Sequence, residues 1–118
     1  MSVRAIPRAE WLRFCNRVSK AVGEGRAELD VASLDLGDRV AARRLRLFGI
    51  VFDARADVLE IALDGVSHSI RSPRQVVLEE TERGLVAVEI IDADDTVETL
   101  RFREPLRLEH DEPQADEG

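Results

Sequence analysis

The hydrophobic period changes once along this chain, and that change limits the folds open to it. Up to Val22, apolar residues recur at helical spacing, with Trp11, Phe14, Cys15, Val18 and Val22 standing at i, i+3, i+4, i+7 and i+11. Arg8, Arg13, Arg17 and Lys20 fall mostly on other faces. Pro7 suits a first helical turn, where its missing N–H costs nothing, and Gly23 and Gly25 supply a left-handed stop. The pattern predicts one amphipathic helix of about 15 residues that needs a surface to cover its stripe.

Beyond Gly25 the period is two. Ala27, Leu29 and Val31 alternate with Arg26, Glu28 and Asp30, which predicts a half-buried strand. Leu36-Gly37-Asp38-Arg39 reads as a turn. From Val40 to Phe52 the parity changes: Val40 and Ala42 share one phase, Leu45 and Leu47 the other, and Ile50 and Phe52 return to the first. Because a one-residue slip exchanges the faces of a strand, this predicts a bulge near Arg43-Arg44 and a bend at Gly49. Leu59, Ile61 and Leu63 precede the tight-turn pair Asp64-Gly65, and Val66, His68 and Ile70 follow it. Ser72-Pro73 breaks that strand. Val76 and Leu78, then Val86, Val88 and Ile90, then Leu100 and Phe102 complete the alternation, with turns at Glu82-Arg83-Gly84 and Asp92–Asp95.

Six or seven sequential strands with short turns predict an α+β domain in which the N-terminal amphipathic helix packs on a curled antiparallel meander, with a small closed barrel as the alternative. In 118 residues there are four Phe, one Trp and no Tyr, so aliphatic side chains carry the core. The length suits one domain, residues 1–108, followed by an acidic tail, residues 109–118, with no apolar periodicity, expected to be disordered. Net charge is −7, but residues 1–55 carry 11 basic and 7 acidic side chains while residues 56–118 carry 6 and 17. The acidic balance disfavours non-specific binding to nucleic acid or anionic membrane. No stretch approaches the roughly 18 apolar residues of a membrane span, the N-terminus lacks a signal-peptide core, and one cysteine excludes an internal disulfide. A cytoplasmic protein is expected.

Ile6-Pro7-Arg8, Glu10-Trp11 and Phe14, with Leu45, Leu47, Gly49 and Ile50, then His68-Ser69-Ile70, Pro73, Val76 and Leu78, and finally Leu100-Arg101-Phe102-Arg103, resemble a family of short bacterial proteins, domain of unknown function 5335. The resemblance spans roughly residues 6–104 and matches poorly over 26–34. It implies a single domain and no assigned activity.

Histidine side chains can act as base or ligand, and His68 is the strand residue best suited to that. Its alternation with Val66 and Ile70 instead places it toward the core as a hydrogen-bonded structural residue. Zinc wants three or four ligands, which His68, His110 and Cys15 do not supply by spacing. Cys15 lies on the helix's apolar stripe and reads as core. Asp92, Asp94, Asp95 and Glu98 lack the glycine and terminal glutamate of a calcium loop. Arg39, Arg43, Arg44 and Arg46 form the densest basic cluster. With the helix's basic residues they would make a patch for single-stranded nucleic acid, or else pair internally with Glu79, Glu80 and Glu82. Phe48 and Phe52 read as core by parity, and Trp11 as the helix's anchor, unless it is exposed together with Phe14 as a binding patch.

No nucleophile elbow, phosphate-binding loop or dinucleotide fingerprint is present. No cofactor or metal is expected. The chain reads as a non-enzymatic protein-interaction or regulatory module acting through its sheet surface or an open edge, self-association as a homodimer included. The alternatives are weak single-stranded nucleic-acid binding through Arg39–Arg46, and a small ligand held inside the curled sheet with His68 lining it. Filling of that inner face by Leu59, Ile61, Val88 and Phe102 would remove the last.

Overall fold

The computed structural model describes residues 1–23, 27–30 and 44–108, and of Asp30 and Arg44 the backbone alone. Strand β1 (Ser2–Ala5) leads through a 3-10 turn at Arg8–Glu10 into helix α1 (Trp11–Val22). There follow β2 (Ala27–Asp30), β3 (Arg44–Asp53), β4 (Val58–Leu63), β5 (Val66–Arg71), β6 (Pro73–Thr81), β7 (Gly84–Asp92) and β8 (Val97–Leu106). The turns expected at 36–39, the bulge expected near Arg43 and the acidic tail lie outside the described residues.

All five stripe residues of α1 are buried. Gly23 closes the helix at φ 56, and its N–H donates to the Ser19 carbonyl. The stripe lies chiefly against β3. There Ser19 Oγ donates to the Ile50 carbonyl at 2.8 Å and accepts from the Ile50 N–H at 2.9 Å. Gly49 permits this approach, because a Cβ at that position would stand 2.9 Å from Ser19 Oγ. The register of β3 on β4 shifts between Leu47 and Gly49, so the bend expected at Gly49 carries a bulge as well. That shift corrects one expectation. Phe48 turns outward and is 43% exposed, while Leu47, Ile50 and Phe52 point into the core.

The described strands form one antiparallel sheet of eight, in the order β1-β6-β7-β8-β2-β3-β4-β5. Two expectations are thereby corrected. The sheet has one strand more than the six or seven predicted, because Ser2–Ala5 pairs with β6 from Ser2 opposite Glu80 to Ala5 opposite Val77. Nor is it a simple meander: β2 stands between β8 and β3, and β1 lies outside β6. The sheet curls but does not close into a barrel, since β1 and β5 remain its two edges.

The curl follows from how β5 runs into β6. Only Ser72 separates them, yet β5 is one edge of the sheet and β6 lies next to the other edge strand, β1, so the chain must turn from one side of the sheet to the far side within one residue. Ser72 takes φ 53, a left-handed value, and Pro73 begins β6, where a proline costs no ladder bond. The corner is fixed from both sides: Ser72 N–H donates to the Asp57 carbonyl, and Ala93 N–H donates to the Ser72 carbonyl, each at 2.9 Å. Asp57, in the β3–β4 turn, is itself at φ 58.

Candidate functional site

The inner face of the curled sheet is filled. Leu59, Ile61 and Val88 are each at most 1% exposed and Phe102 is 6% exposed, so apolar side chains occupy the space the internal-ligand reading required. His68 lies on this face, opposite Ile61 on β4. Its Nε2 is 2.5 Å from Oε1 of Glu98, whose side chain shares the inward parity of Leu100 and Phe102 on β8. With the carboxylate as acceptor, Nε2 carries the proton. Three strands separate β5 from β8 in the sheet order, so this pair spans the curl rather than a neighbouring ladder. Glu98 is the sole buried charged residue among the described residues. The arrangement has the chemistry of a structural bridge: a buried carboxylate paired with a histidine among apolar neighbours.

The basic cluster does not come together as a described surface. Arg39 and Arg43 lie outside the described residues, and of Arg44 only the strand backbone is described. Arg46 is exposed on β3 and stands opposite Glu28 of β2, an opposite-charge cross-strand pair. Two of the three glutamates expected to neutralise that cluster have other partners: Glu80 pairs with Arg4 at 3.2 Å and Glu79 with Arg101 at 3.9 Å. Trp11 and Phe14 are buried, which removes them as an exposed patch. Cys15 is 1% exposed, and burial pushes its thiol from 9.0 up to about 12, which suits a packed side chain and not a nucleophile. Asp92 Oδ1 accepts from the N–H groups of Asp94 and Thr96, ordinary turn chemistry that occupies the carboxylate. Among the described residues no three His, Cys, Asp or Glu side chains gather to hold a metal. No described helix is long and apolar enough to cross a membrane.

The feature that pattern reading missed is a cleft. Helix α1 is about 18 Å long, whereas β6 and β7 each extend about 30 Å, so the helix covers only part of the sheet's inner face. At the uncovered end a cleft of about 600 Å³ opens between α1, the β6–β7 hairpin and the end of β8. Its apolar lining is Ile6, Phe14, Leu78 and Leu85, all buried, with the half-buried Leu106 and Leu108 at the surface. Arg4, Arg13, Arg17, Arg83 and Arg107 border it, together with Glu10, Glu80 and Glu82. No local sequence signal marks it, because its arginines come from β1, α1, the hairpin and the end of β8.

A sequence profile described as a family of unknown function, DUF5335, matches residues 2–111. An uncharacterised protein of Aquifex aeolicus (strain VF5) is 28% identical over 109 residues, spanning 92% of this chain and 98% of that one. No solved structure matches the chain.

Proposed function

This chain belongs to the family of unknown function DUF5335, and we propose that it works as a non-enzymatic interaction module whose contact surface is the arginine-bordered cleft at the uncovered end of the sheet. One observation carries the reading: beyond the packed inner face, at the end α1 leaves uncovered, the half-buried Leu106 and Leu108 meet a charged rim at a cleft. Aliphatic side chains at a solvent boundary, ringed by charge, suit a partner better than they suit water. The ionisable groups most suggestive of catalysis are otherwise engaged. His68 and Glu98 bridge the sheet, Cys15 is packed in the core, and Asp92 caps a turn.

The test is retention of binding proteins on the immobilised full chain, compared with a chain carrying Arg83→Glu and Arg107→Glu. Proteins held by the first and lost from the second support the cleft as the contact surface. An identical set on both, or none on either, contradicts it.

A further inference from the structure

We propose, building on the cleft as the contact surface, that its occupant is an acidic amphipathic peptide segment of a partner protein, with carboxylates on the arginine rim and aliphatic side chains on the floor. Five arginines and three glutamates border the cleft, a local excess of positive charge on a chain of net charge −7. Arg4 is held by Glu80. Arg83, at the hairpin tip, and Arg107, just past β8, make no side-chain ion pair among the described residues. Guanidinium forks there match carboxylates in bidentate geometry.

The chemistry of the floor and rim separates a peptide from a nucleic acid. The floor's one aromatic ring, Phe14, is 5% exposed and offers no stacking platform to a base. Glu10, Glu80 and Glu82 border the same cleft as the arginines. A phosphate backbone charged at every nucleotide would meet them, whereas a peptide can set carboxylates opposite the arginines and leave the intervening positions neutral. Ile6, Leu78 and Leu85 are buried like Phe14, so the half-buried Leu106 and Leu108 supply the aliphatic surface for the partner's apolar side chains. At about 600 Å³ the cleft has room for a few such side chains.

The experiment titrates the full chain against a fluorescein-labelled peptide alternating Glu and Leu, read by anisotropy at about 50 mM salt. Saturable binding is expected, weakened about tenfold or more by Arg83→Glu with Arg107→Glu, and weakened similarly when the probe's Glu become Gln or its Leu become Ser. If the charge-reversed chain does not fold, by its thermal transition, Arg83→Gln with Arg107→Gln is used, with a smaller loss expected. Equal binding of the Gln probe, or binding indifferent to the rim substitutions, overturns the proposal. So does tighter rim-dependent binding of a polyuridine oligonucleotide of equal charge. Two further results overturn the partner peptide while sparing the cleft. One is a dimer by light scattering that the rim substitutions dissociate. The other is probe binding that emerges only when Glu109, Asp111, Glu112, Asp116 and Glu117 become amides. No binding by either chain overturns it outright.

Discussion

Ser19 is the residue on which helix and sheet meet, since one hydroxyl both donates to and accepts from the backbone of Ile50. Ser19→Ala strips both bonds from a strand group packed under the helix. It is expected to destabilise the fold by about 1–3 kcal/mol in urea titration. Gly49→Ala places a methyl against Ser19 Oγ and is also destabilising. The two effects are coupled, so the double variant should lose less than the sum of the singles. Additive losses would contradict the contact. Cys15 gives a prediction with a sign. Burial favours the neutral thiol, so its contribution to stability is complete below pH 9.0, where the unfolded thiol ionises, and is lost as pH rises toward about 12. The native thiol should stay inert to a disulfide reagent at pH 8 and react on unfolding. Rapid modification of the folded chain would refute that burial. Cys15 was legible because helical spacing fixed its face. The inward parity of His68 was legible for the same kind of reason. Its partner was not, because Glu98 lies on a strand 30 positions away, and nothing local to either residue encodes a bond across the curl. His68→Ala is expected to cost about 1–3 kcal/mol, and His68→Leu with Glu98→Leu to recover most of it, since an apolar pair replaces a buried polar one without leaving a lone charge. Stability unchanged in His68→Ala would show that the bridge does not hold the curl.

At the scale of elements, the N-terminal motif explains itself as a pin between helix and sheet. Trp11 Nε1 donates to the Ile6 carbonyl at 3.1 Å, its ring meets Phe52 edge-on at 5.1 Å, and Arg8 covers both rings while reaching Asp57 at 2.9 Å. One cluster therefore joins the helix start, β3 and the β3–β4 turn. Trp11→Ala is expected to cost about 3–5 kcal/mol by leaving a cavity, seen as a lowered thermal midpoint. The helix and the hairpin β4–β5 were legible from period and from Asp64-Gly65, where φ 83 at the glycine fits a tight turn. Strand β1 was not, because the alternation of Ser2-Val3-Arg4-Ala5 is too short to signal a strand and none of its side chains is buried. Backbone pairing with β6 holds it there. The corner at Ser72 was legible as a break but not as a change of place in the sheet. Ser72→Gly should preserve or raise stability by relieving the left-handed backbone, and Ser72→Val should lower it by about 1–2 kcal/mol.

At the scale of the molecule, strand order decided what local patterns could not. Alternation gives each strand an inner face but not its neighbours, and the insertion of β2 between β8 and β3 is a long-range choice made by packing. The same holds for the cleft, which exists because a short helix lies on longer strands and because arginines distant in sequence converge at the end it leaves open. The central claim is that this end is the working surface. Amide shifts of the isotopically labelled full chain, followed while the acidic amphipathic peptide is added, test it most directly. The account predicts that the perturbed amides cluster at Arg13–Arg17, Leu78–Leu85 and Leu106–Leu108. Shifts confined to the outward face around Phe48 and Val51, or spread without a focus, would contradict it.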